Sequence, residues 1–120
     1  KEITYLGELS YEEMNEAFRK STIFVLPSYG EGIPKVLLEA AATGLPLITT
    51  DAPGCRDCIK NEINGKLISP RNTNELTDAM ESIILTNESK MLEYSRNSEL
   101  IVHSRYSLDV ITKKYINLIN

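Results

Sequence analysis

The 120-residue chain has a single histidine, only two cysteines and no excess of positive charge. Its 13 Lys and Arg are outnumbered by 17 Asp and Glu, and the net charge of −4 argues against a general nucleic-acid binder, which is usually basic. No apolar run approaches the roughly 20 residues that span a bilayer, and no signal peptide stands at the start. A zinc centre on Cys55 and Cys58 needs two further ligands, and there is only His103 and no second cysteine pair to supply them. The spacing Cys55-Arg56-Asp57-Cys58 is compatible with a redox pair, since a helix start lowers one thiol's pKa. The reading preferred here is two free structural thiols, as suits a reducing cytoplasm. His103, beside Ser104 and Arg105, reads as a surface or capping residue. The sequence holds no Ser-His-Asp set, metal-ligand cluster, Walker loop, internal repeat or low-complexity tract.

What is there has an ordinary globular balance, 42% hydrophobic and 25% charged, and a length that gives one domain with a real core. Apolar runs and helical periodicities alternate. Ile3–Leu6, Ile23–Leu26, Leu47–Thr50 and Lys66–Ile68 read as strands, the last after an Asn64-Gly65 turn. Tyr11–Lys20 reads as a helix in which Ser10 and Glu13 form a capping box. Pro34–Thr43 reads as a helix ended by Gly44. Asn74–Leu85 is amphipathic, with Leu76, Ala79, Met80, Ile83 and Ile84 on one face, and Lys90–Val102 and Leu108–Ile119 are predicted helices. The last carries Leu108, Ile111, Tyr115, Ile116 and Ile119, a stripe that packs on its own sheet or is left exposed. Strands separated by helices predict an α/β fold, a parallel sheet of βαβ units flanked by helices. The pair Glu12-Glu13 and the acids of the later helices read as solvated faces.

The run from Gly30 to Gly44 is the most informative. It follows an apolar strand and opens a helix, with Glu31 in the glycine-rich turn and Glu39 inside the helix. Pro34 fits the first helical position, and Ile33 has no side-chain oxygen to cap it. The N–H groups of Lys35, Val36 and Leu37 are therefore expected to lack an internal partner. Lys35 at the positive end of the helix dipole is unfavourable by about 0.3–1 kcal/mol. A bound diphosphate relieves both problems. Glu39 lies five residues beyond Pro34, roughly 7–8 Å along the axis, about the reach from a diphosphate to a ribose. Its apolar neighbours predict partial burial, and a buried carboxylate needs partners. Asp51 ends a strand, so it either meets a ligand there or starts a turn with Pro53-Gly54.

Glu31-x(7)-Glu39 resembles the E-x(7)-E signature of retaining nucleotide-sugar glycosyltransferases of GT-B fold, the large family four. Ile3-Thr4-Tyr5-Leu6-Gly7, Val25-Leu26-Pro27-Ser28, Gly44-Leu45-Pro46-Leu47-Ile48-Thr49-Thr50-Asp51 and Asn64-Gly65-Lys66-Leu67-Ile68 are similar to further family stretches, in the family's order and over nearly the whole chain. Glu31-Gly32-Ile33-Pro34-Lys35 with Pro53-Gly54-Cys55-Arg56-Asp57 resembles the subgroup that builds lipid-carrier-linked bacterial polysaccharides and glycans. Two departures stand out: Lys35 replaces a small or apolar residue, and the adjacent glycines and Glu that many members carry are not found around Arg56 and Asp57.

The resemblance implies a Rossmann-like parallel sheet, the C-terminal half of a GT-B fold. It implies that Glu31 takes the catalytic position, holding the donor sugar's hydroxyls, with the backbone of Gly32 and Ile33 beside it. It implies that Lys35, Val36 and Leu37 face the diphosphate, that Glu39 takes the ribose hydroxyls, and that Gly7 and Glu8 lie near the base. No cofactor is implied; the nucleotide-diphosphate sugar is the substrate and no metal is needed. Residues 1–120 are expected to be one nucleotide-sugar-binding domain. They are expected to come from a longer parent, without its N-terminal acceptor domain and the start of its C-terminal domain, and to be inactive alone. The expected partners are the donor, that missing domain and an acceptor glycan or lipid-linked glycan, with no nucleic acid. The implied setting is the cytoplasm, with possible placement on the cytoplasmic membrane face. Two alternatives stay open: a nucleotide-sugar epimerase of the same architecture, and a non-catalytic α/β ligand-binding module.

Overall fold

A computed structural model of the chain describes residues 3–28 and 34–106. The elements run α1 (Tyr11–Lys20), β1 (Phe24–Leu26), α2 (Lys35–Ala42), β2 (Leu47–Thr50), a 3₁₀ turn (Cys55–Cys58), β3 (Gly65–Ile68), α3 (Thr73–Ile84) and α4 (Glu88–Tyr106). The sheet has the order β1-β2-β3 and every pairing is parallel, with Leu26 opposite Thr49 and Thr50 opposite Ile68. The expected α/β fold with flanking helices is thus what forms.

Local chemistry accounts for most boundaries. At α1 the Glu13 N–H donates to Ser10 Oγ (3.2 Å) and the Ser10 N–H returns to Glu13 Oε1 (2.9 Å), a reciprocal capping box that satisfies two orphan donors. These bonds hold the Glu13 carboxyl below the usual carboxylate range. At the end of α2, Gly44 takes φ +88°. The Leu45 N–H then reaches the Ala40 carbonyl (3.2 Å) and the Gly44 N–H the Ala41 carbonyl (2.9 Å), the two bonds of a Schellman stop. Asn72 caps α3 by accepting from the Glu75 N–H (3.0 Å).

The central strand β2 is buried along its whole length. Leu47 feeds a core with Phe18, Leu37, Ala41, Cys55 and Val102. Ile48, pointing the other way, feeds a second with Ile68, Ala79, Ile83 and Tyr94. The alternation follows from the two-residue period of a strand. Helix α4 serves both, through Tyr94 and Val102. Buried Asn64 fixes the turn before β3: its Oδ1 accepts the Lys60 N–H (2.7 Å) and its Nδ2 donates to the Cys58 carbonyl (3.2 Å). On the outer edge of β3 the Leu67 N–H is taken by Asn61 Oδ1 (2.8 Å), which blunts that edge against further pairing.

Three expectations are corrected. Ile3–Leu6 is not a strand; Ile3 and Tyr5 are 90% and 93% exposed, because an apolar run becomes a strand only where its amides find a ladder. Pro34 is the N-cap and not the first helical residue. Ile84 stands out in solvent, since it follows buried Ile83 by one residue, a 100° step around the helix. The predicted helix Leu108–Ile119 lies outside the described residues.

Gly65 sits at φ +152°, and a Cβ placed there meets the Leu47 carbonyl oxygen at 1.7 Å. Gly65→Ala must push β2 and β3 apart; it is expected to cost about 3 kcal/mol or more, read as a lowered urea midpoint.

Candidate functional site

In an open parallel sheet ligands gather outside the carboxyl ends of the strands, and here that edge is built from side chains of all three strands. The Thr49 hydroxyl donates to the Leu26 carbonyl (2.8 Å). The Thr50 Oγ1 accepts the Ser28 N–H (3.1 Å) and donates to the Ser28 carbonyl. Both threonines are essentially fully buried. Their hydroxyls carry the β1–β2 pairing past the last ladder residue and fix where the chain leaves β1. The Asp51 N–H likewise reaches the Ile68 carbonyl (2.7 Å), one step past the β2–β3 ladder. The Asp51 carboxylate pairs with Arg56 Nε (2.8 Å). Of its two expected roles, the turn contact is the one seen.

Beyond Ser28 come Glu31, Gly32 and Ile33, which lie outside the described residues. The chain is described again at Pro34. The Pro34 carbonyl accepts the Leu37 N–H (3.1 Å) and the Leu38 N–H (3.3 Å), and no side chain caps the helix. The Leu37 amide, expected to be vacant, is therefore occupied, and its side chain is fully buried. The reason is the shift of Pro34 to the cap, where its carbonyl lies in reach of both amides. The Lys35 and Val36 amides have no acceptor among the described residues. Lys35 is exposed and Val36 half-buried. Glu39 follows Lys35 by four residues, which places both on one side of α2. It is half-buried, as expected, and its carboxylate has no hydrogen bond or ion pair among the described residues. Gly7 (φ +72°) and Glu8 lie exposed in the turn before α1, and no hydrogen bond joins them to α2 among the described residues.

The cysteine pair serves packing. Cys55 and Cys58 are free and fully buried, and the Cys58 thiol donates to the Gly54 carbonyl (3.7 Å). Burial pushes the Cys58 thiol up to about 12, with Cys55 and Asp57 adding to the effect, the reverse of the lowering a redox pair needs. His103 is exposed near the end of α4. Sequence reasoning missed the threonine clamp, although two hydroxyls closing an apolar strand mark one. It also missed Arg71, for which no motif stands in the sequence.

Comparison with known proteins agrees with this geometry. The family model described as glycosyl transferases group 1 matches residues 1–100, and the chain belongs to that family. It is 32% identical over 116 residues to the N,N'-diacetylbacillosaminyl-diphospho-undecaprenol alpha-1,3-N-acetylgalactosaminyltransferase of Campylobacter jejuni, covering 97% of this chain and 30% of that protein. It is 31% identical over 106 residues to the UDP-Gal:alpha-D-GlcNAc-diphosphoundecaprenol alpha-1,3-galactosyltransferase of Escherichia coli, covering 84% and 27% respectively. The chain thus spans less than a third of these relatives. Among solved structures it resembles HepE of Anabaena in complex with UDP-glucose, at a TM-score of 0.80 and 19% identity over 89% of this chain and 29% of that one. The fold is the Rossmann-like α/β arrangement of GT-B glycosyltransferases, matching part of a C-terminal domain. No helix among the described residues is long and apolar enough to cross a membrane.

Two outcomes follow. Thr50→Val strands the Ser28 N–H and carbonyl and is expected to cost about 1–3 kcal/mol in urea unfolding, whereas Thr50→Ser keeps both bonds and loses less. With a folded-state pKa near 12 above an unfolded value of about 8.5, the Cys58 contribution to stability is complete below pH 8.5. It is lost as pH rises toward 12, because only the unfolded chain releases its proton there. A thiol reagent at pH 8 is therefore expected to label neither cysteine until the chain unfolds, and Cys58→Ala to flatten the alkaline loss of stability.

Proposed function

We propose that this chain binds the nucleotide-sugar donor of a retaining glycosyltransferase that builds bacterial polysaccharide or glycan chains. The observation that carries the reading is the start of α2. Directly after the carboxyl end of β1, the Lys35 and Val36 amides have no acceptor and Glu39 has no partner among the described residues. Amides at a helix start suit a diphosphate, and a carboxylate one turn further suits the paired hydroxyls of a ribose. The UDP-glucose bound by HepE and the UDP-galactose named for the Escherichia coli relative support a nucleotide-sugar ligand. Glu31, Gly32 and Ile33 complete the site on the sugar side, and Gly7 and Glu8 on the base side. Electrostatic stabilisation of the departing diphosphate by fixed dipoles is the main catalytic task, and it needs no reorganisation. The acceptor, a glycan or lipid-linked glycan, is met by a domain beyond this chain. The setting is the cytoplasm, at the membrane face where such a lipid is presented.

Titration calorimetry with UDP tests this. Wild type is expected to bind, and Glu39→Ala to bind about tenfold more weakly or worse, as for loss of hydrogen bonds to a charged group. The chain alone is expected to transfer no sugar. If neither protein responds to any nucleoside diphosphate, the ligand-binding-module reading replaces this one.

A further inference from the structure

A second cleft opens at the carboxyl ends of the same strands, on the side of α3. It measures about 270 Å³, and Ser28, Thr50, Ser69, Arg71 and Thr73 line it. That is below the roughly 300–1,000 Å³ of sites that enclose drug-sized ligands, so it has room for a small polyatomic group and not for a whole nucleotide sugar. Arg71 is the one charged side chain among its described lining residues. The Glu75 carboxylate, nearby in sequence, accepts the Ser69 N–H and borders a different, shallower groove. Nothing in the described wall therefore repels an anion, and three hydroxyls stand beside the guanidinium.

The backbone adds an independent indication. Among the described residues only Glu62 and Arg71 are non-glycines with positive φ. Glu62 has a local account: its N–H closes a turn on the Gly65 carbonyl (2.8 Å) and its carboxylate pairs with Lys66 (2.7 Å). Arg71, at φ +59°, belongs to no such turn, yet a non-glycine there costs about 1–2 kcal/mol. Costs of this kind gather where a loop must hold a side chain toward a ligand. Asn72 already caps α3, so recognition rests on Arg71 and the hydroxyls and not on the helix start.

We propose that this cleft is a diphosphate-binding position separate from the start of α2, with Arg71 as its cation. Arginine's planar fork matches phosphate oxygens in bidentate fashion. The diphosphate has two candidate sources, the donor's own and that of a lipid-linked acceptor; naming these two rests on the function proposed above.

The test titrates the 120-residue chain with inorganic pyrophosphate, UDP and farnesyl diphosphate. Wild type is expected to bind pyrophosphate. Arg71→Asn, which keeps a residue suited to left-handed backbone, is expected to weaken that binding about fivefold or more. Arg71→Lys retains most of it, and Glu39→Ala leaves it unchanged. A loss that carries over to UDP assigns the donor as the source. A loss for farnesyl diphosphate with UDP unaffected assigns the acceptor. If UDP does not bind at all while pyrophosphate binding still depends on Arg71, the donor reading fails and this site stands. Wild type that ignores pyrophosphate, or Arg71→Asn that binds it as wild type does at an unchanged melting temperature, overturns the proposal.

Discussion

The structure depends on a strand that is buried on both faces and still ends in two hydroxyl side chains. β2 reads Leu47-Ile48-Thr49-Thr50, and all four residues are buried. Its apolar half separates two cores, one under α2 and α4 and one under α3. Its polar half would be costly there without partners. The partners are the backbone of β1 and of the chain just past it: Leu26 for Thr49, Ser28 for Thr50. Burial excludes water from these bonds, so the register of β1 against β2 and the exit point of β1 are set together. No buried side-chain nitrogen or oxygen among the described residues is left without a hydrogen bond.

That constraint explains why the functional edge lies where it does. With β1 ended at a fixed place, the connection to α2 is short, and α2 begins beside the sheet's carboxyl edge. A helix of 8 residues with Pro34 as its cap cannot satisfy its own first donors, and its first residue is a lysine at the positive end of the dipole. Each of these is a small cost. Together they favour an anion at that place, which is how a family defined by nucleotide-sugar chemistry can use one scaffold for many sugars and acceptors. The same edge reaches round to β3 and α3, where Arg71 stands in a conformation its residue type does not favour.

Much of this was legible in the sequence where the signal is local. Ser10 and Glu13 define the start of α1 through bonds that span three residues. Gly44 defines the end of α2, since few other residues take positive φ. The run Leu47–Thr50 is a buried strand by composition and length, and the observed boundaries are the expected ones. The face of α3 follows from helical period, and it failed only at Ile84, one step off the stripe. What could not be read depends on neighbours. Ile3–Leu6 has strand composition, but strand formation needs a paired edge, which composition does not encode. Pro34 fits both the cap and the first turn, and the choice between them decides whether the Leu37 amide is open. The Cys55–Cys58 spacing suits both a reactive pair and a buried one, and burial alone settled it.

The sequence by itself determined the order of the elements, their capping and the residue types at the strand ends, because these rest on contacts within a few residues. Only the tertiary structure decided which amides at the start of α2 are left over, that two threonines 22 and 23 residues along the chain from their partners hold the exit of β1, and that Arg71 faces the same edge as Ser28. Those outcomes depend on the pairing of β1 with β2 and of β2 with β3, and a parallel pairing brings together residues that no local pattern connects.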